Sequence, residues 1–91
     1  MVTAIVLINV EHGRVNDVAA QLLTLPGVTE VYSVGGRFDL VAVARVRDND
    51  AIADLVTDHM LRLNYIQSTE TLIAFRAYSQ YDLERMFAIG M

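Results

Sequence analysis

The residues of this chain whose types and spacing suit chemistry sit in Val34-Gly35-Gly36-Arg37-Phe38-Asp39-Leu40, where two strand-like runs meet at a glycine pair. Glycine lets a backbone turn sharply and lets a ligand approach peptide N–H groups closely. Asp39 adds one fixed negative charge beside those donors. Free amides that donate to a carboxylate, next to an acid that accepts from an ammonium, fit a small zwitterion. The same segment also reads as a plain β-hairpin, with glycine supplying positive φ and Asp39 bonding to the turn. Its spacing matches neither a dinucleotide fingerprint nor a phosphate loop. A second polar group, Ser68-Thr69-Glu70-Thr71, opens the last strand-like run. Thr69 and Thr71 share one face there, either as a polar strand start or as hydroxyls completing a pocket with the glycine loop.

Other chemistries find less support. His12 lies in a Glu11-His12-Gly13 turn between elements and reads as solvated. His59 falls between Leu55 and Leu63 on a helical stripe, which places it on the inward face. No cluster offers the three or four convergent ligands a metal needs, so no metal and no cofactor are expected. Ser33, Ser68 and Ser79 have no histidine nearby in sequence and sit in no nucleophile elbow. The acids Asp17, Asp54, Asp58 and Asp82 read as solvated helix faces.

The elements that must position these residues follow from periodicity. Val2 to Val10 is an apolar, β-branched strand. Val15, Val18, Ala19, Leu22 and Leu25 follow helical spacing until Pro26-Gly27 stops the helix. Val28 to Val34 and Leu40 to Val46 are strands. Asp48 caps a second helix with its stripe at Ile52, Leu55, Val56 and Leu63. Ile66 to Tyr78 is a last, long strand. The order β-α-β-β-α-β predicts an α+β, ferredoxin-like domain over residues 1–78, with residues 79–91 as a C-terminal oligomerisation tail. In that tail a short helix from Gln80 would present Leu83, Met86 and Phe87.

Bulk properties narrow the class. The 91 residues suffice for one domain, and 54% of them are hydrophobic, with a mean hydropathy of +0.36. Both helices of this fold cover one sheet face, yet the strands are apolar on both. A second copy of the sheet covers the open face most simply, as a two-fold dimer with a barrel-like core. The net charge is −4, from seven arginines and no lysine against eleven acids, so no basic footprint for nucleic acid is present. Cysteine is absent, no apolar run approaches the ~20 residues of a membrane helix, and no basic n-region leads an apolar h-region. The expectation is a cytoplasmic protein.

Pro26-Gly27-Val28 leading to Val31-Tyr32, then Val34-Gly35-Gly36-Arg37-Phe38-Asp39-Leu40, then Thr69-Glu70-Thr71-Leu72-Ile73-Ala74 resemble the effector domain of the leucine-responsive regulator (Lrp/AsnC) family, over nearly the whole chain. The resemblance implies dimers formed through the sheets, assembly into higher rings such as octamers, and a free amino acid bound between subunits. It assigns Gly36, Phe38 and Asp39 to the ligand loop, with Asp39 holding the ammonium, and Thr69 and Thr71 to the facing strand. Gly35, where many relatives carry threonine or another side chain, and Arg37 belong to the same ligand-binding loop and would alter ligand choice. Full-length members begin with a helix-turn-helix, whereas here the first strand starts at once. The chain therefore looks like a stand-alone effector domain, without direct DNA contact, acting on transcription through assembly or through full-length relatives. Two alternatives stand beside this one: a small dimeric barrel enzyme, monooxygenase- or isomerase-like, built around an inward His59, and a ligand-free assembly module.

Overall fold

The computed structural model describes residues 1–78 and residue 80. Six elements follow one another: β1 (Val2–Val10), α1 (Val15–Leu22), β2 (Val28–Ser33), β3 (Leu40–Val46), α2 (Asn49–Ala53) and β4 (Ile66–Ile73). Between α2 and β4 the chain stays helical, through a π-helical stretch (Asp54–His59) and a 3-10 turn (Met60–Arg62). The sheet order is β2-β3-β1-β4, and every neighbouring pair is antiparallel. This is the expected ferredoxin-like α+β fold, with the helical segments as crossovers between non-adjacent strands.

Register decides what each face carries, because residues directly opposite in a ladder share a face. Val6 lies opposite Ala42 and Thr71, and Ile8 opposite Leu40 and Thr69. Ala4, Val6, Ile8, Leu40, Ala42 and Ala44 are completely buried on that face, together with Val18 and Leu22 of α1 and with Met60. Each fully buried branched or long side chain there stabilises the fold by roughly 1.5–3 kcal/mol.

The opposite face is uncovered in a single chain. It carries Ile5, Leu7, Val41 and Val43, all half-buried, with Leu72 and Tyr32 exposed. Glu30 and Glu70 flank this apolar centre on the two edge strands. The Tyr32 hydroxyl donates to the Glu30 carboxylate. That hydrogen bond, then the carboxylate's charge and then slight desolvation, raises the phenol above its ordinary value of 10. A folded-state value raised in this way favours the fold below the ordinary phenol pKa, and the benefit is lost as pH rises through the raised value.

Gly27 shows why the turn after α1 needs glycine. Its φ is +91°, and a Cβ there would sit 2.7 Å from Val46 Cγ1 and 3.3 Å from the Arg45 carbonyl. Close approach is enforced by the Arg45 N–H, which donates to the Gly27 carbonyl at 2.8 Å. Gly27→Ala combines left-handed strain with overpacking, so it should cost about 3 kcal/mol in chemical denaturation. A cost below about 1 kcal/mol would mean that the turn relaxes freely.

Two elements depart from the periodic reading. Asp48 does cap α2, its Oδ1 accepting from the Ala51 N–H at 2.8 Å. The stripe then breaks: amides closing the π-helical stretch reach back to the Leu55 and Val56 carbonyls, a wider i→i+5 pattern. Leu55 is thereby followed on the inward side by Met60, which is fully buried, while His59 is exposed. The inward placement of His59 is therefore corrected. The last strand also stops at Ile73 rather than Tyr78, and β2 stops at Ser33 rather than Val34. After Ala74 N–H donates to the Thr3 carbonyl at 2.9 Å, β1 has almost run out, and Phe75 is 99% exposed. The proposed tail at residues 79–91, with Leu83, Met86 and Phe87, lies outside the described residues apart from Gln80.

Candidate functional site

Asp39 is held where the end of β1 meets the start of β3. Its N–H donates to the Ile8 carbonyl at 3.0 Å, and its carbonyl accepts from the Val34 N–H at 3.0 Å, closing the β2–β3 hairpin. Its carboxylate Oδ2 accepts from the Val10 N–H at 2.9 Å. Three backbone partners thus hold this half-buried residue, one of them on its side chain. Its other oxygen, Oδ1, accepts no protein hydrogen bond among the described residues.

Beside Asp39 the β1–β4 ladder slips. Asn9 pairs with Ser68 but Val10 with Ile66, so Gln67 is the extra residue of a bulge, a feature that re-aims a side chain. Just before it, Tyr65 takes a positive φ of 74°, uncommon for a residue with a large side chain. Tyr65 ties down the turn after β1 at both ends. Its carbonyl accepts from the Glu11 N–H at 2.8 Å, and its ring lies 4.3 Å from the Arg14 guanidinium. Arg14 is also paired with Asp17 at 3.2 Å. The result is a cleft of about 300 Å³ lined by Val10, Glu11, His12, Gly13, Asp39 and Gln67, with Val15 at its side.

The expected ligand loop lies next to this cleft without lining it. Gly35, Gly36 and Arg37 are exposed and Phe38 is half-buried; Gly36 has the positive φ, +119°. Among the described residues, the amides of Gly35, Gly36, Arg37 and Phe38 donate to no protein acceptor. Thr69 and Thr71 are half-buried on the helix-facing side of β4, with β1 between them and β3. That separation is about two strand spacings, roughly 10 Å, and neither threonine lines the Asp39 cleft. One chain therefore joins Asp39 to Glu11, His12 and Gln67, and leaves the threonines apart. Periodicity could not find Gln67, because a bulge is visible only in the pairing register. His12 is in the exposed turn expected of it, yet it borders the cleft.

His59 borders a different cleft, open to solvent at the far end of β3. Between sheet and helices no polar side chain is buried among the described residues. No described helix is long and apolar enough to cross a membrane.

The family model for the Lrp/AsnC ligand binding domain matches residues 3–83. The chain belongs to the Lrp/AsnC family. TTHA0845 of Thermus thermophilus is 46% identical, with 88% of this chain and 100% of that one covered at a TM-score of 0.82. The HTH-type transcriptional regulator FL11 of Pyrococcus furiosus is 25% identical over 87% of this chain and 52% of its own length. The feast or famine regulatory protein Rv3291c of M. tuberculosis, solved in complex with L-methionine, is 27% identical, with 88% and 54% covered and a TM-score of 0.73. This Lrp/AsnC domain spans about half the length of the first curated relatives it matches. The family and these curated relatives are transcription regulators, not enzymes, and the exposed His59 gives the enzyme alternative no internal site.

Proposed function

We propose that this Lrp/AsnC domain binds a free amino acid between subunits and couples that binding to its own assembly. The observation that carries the reading is the hairpin at Asp39. One short segment offers four uncommitted amides at Gly35, Gly36, Arg37 and Phe38, and a rigidly held carboxylate with a free oxygen. The amides suit the ligand's carboxylate and Asp39 its ammonium. Thr69 and Thr71, too distant within one chain, face the ligand from a neighbouring subunit. The L-methionine held by the M. tuberculosis relative supports this ligand class.

Assembly begins at the uncovered sheet face, where Ile5, Leu7, Val41 and Val43 of two copies meet about a two-fold axis. Dimers then join into a higher ring, an octamer, with full-length Lrp/AsnC regulators as further partners through which transcription is modulated. A ligand that binds only the assembled state shifts the assembly equilibrium by mass action. The test is a thermal-shift screen against the twenty amino acids, with particle mass followed by light scattering. A ligand at a hundred times its dissociation constant adds about 2.7 kcal/mol, a visible shift. A selective shift with a change in mass is expected; no shift with any amino acid would leave a ligand-free assembly module.

A further inference from the structure

A second cleft, of about 410 Å³, opens at the other end of the sheet from Asp39, between the Pro26-Gly27 turn, the end of β3 and the π-helical stretch. β3 alone separates the two clefts by roughly 20 Å. This volume falls in the range of small-molecule sites. Its walls combine an apolar floor at Val46 and Leu55 with four polar residues, Arg45, Arg47, Asp54 and His59. Gly27 and Ala51 leave the middle open by contributing almost no side chain.

The π-helical stretch explains why those polar groups gather. Such stretches are rare and occur often at functional sites. Had an α-helix continued, His59 would follow Leu55 into the core. The wider turn sends Met60 there and leaves His59 at the cleft. The side chains of His59 and Asp54 have no hydrogen-bond partner among the described residues. Among the described residues Arg47 is paired only with Asp48, at 3.6 Å and with its side chain 91% exposed, an arrangement that holds an arginine weakly. His59 and Asp54, with the weakly held Arg47, are therefore available to engage a ligand beside Arg45, in a chain whose net charge is −4.

We propose that this cleft is a second ligand site, taking a small organic carboxylate with a short aliphatic body. Arg47 and His59 hold the carboxylate, and Val46 and Leu55 receive the aliphatic part. The source of that carboxylate is decided at Asp54. An α-amino acid pairs its ammonium with Asp54, whereas the corresponding 2-oxo acid meets only its negative charge.

Equilibrium dialysis of the whole chain with L-leucine and with 4-methyl-2-oxopentanoate tests this, in the wild type and in Asp39→Asn. Using Asp39→Asn separates this site from the first, so loss of the first does not count against the second. Uptake of at least one probe should persist in Asp39→Asn and weaken about tenfold when Arg47→Ala or His59→Ala is added. Both residues are exposed, so these variants should fold. Adding Asp54→Asn should weaken leucine uptake if the ligand is an amino acid, and strengthen uptake of the oxo acid if it is not. Absence of uptake of both probes in Asp39→Asn, or uptake indifferent to Arg47→Ala and His59→Ala, overturns the proposal.

Discussion

Asp39→Asn should reduce amino-acid affinity about 100-fold or more while leaving the melting temperature of the unliganded protein nearly unchanged. The asparagine carbonyl oxygen can still accept from the Val10 N–H, which the wild-type Oδ2 does at 2.9 Å. What disappears is the negative charge that an ammonium needs in the proposed site between subunits. Asp39→Ala is the less informative change, because it also leaves the Val10 N–H unpaired at a half-buried position. An unsatisfied group of that kind costs about 1–3 kcal/mol. Comparing the two variants in the amino-acid screen separates the two duties of this one side chain. Wild-type affinity in Asp39→Asn would remove Asp39 from the ligand site and leave it as a pin between β1 and the hairpin.

Leu7→Asp should convert the proposed dimer to monomers at micromolar concentration without unfolding them. Leu7 lies opposite Val41 on one side and Glu70 on the other, within the uncovered apolar face. In a lone chain that position is half-buried, so a carboxylate there still reaches water. Across a sheet-to-sheet interface the same carboxylate is stripped of water, and two-fold symmetry introduces it twice. The dissociation constant should rise at least about 100-fold. Light scattering behind a sizing column reads the mass, and circular dichroism checks the fold. A retained dimer mass would mean that the sheets do not meet face to face, and the ligand site between subunits would need another geometry.

Much of this was legible in the chain itself, because it rests on local physics. β-Branched runs, helical stripes, Pro26-Gly27 and the Asp48 cap each declare their element through conformational preference within a few residues. The glycine–Asp hairpin and the apolar second face were readable in the same way, the first by residue type and the second by a period of two. His59 shows where that reasoning stops. Its position on the stripe was inward only for a helix of constant pitch, and the π-helical stretch puts Met60 there instead. The end of β4 was likewise decided elsewhere, since a strand lasts only as long as β1 beside it.

The sequence by itself determined the βαββαβ order, the membership in the Lrp/AsnC family, and Asp39 as the acid beside the turn. Only the tertiary structure decided that Asp39 also clamps β1 through the Val10 amide, that a bulge brings Gln67 to the Glu11–His12 turn, and that Thr69 and Thr71 stand apart from both. The physical reason is that ladder register and helix pitch are set by long-range packing, and a one-residue shift in either changes which side chain meets a site.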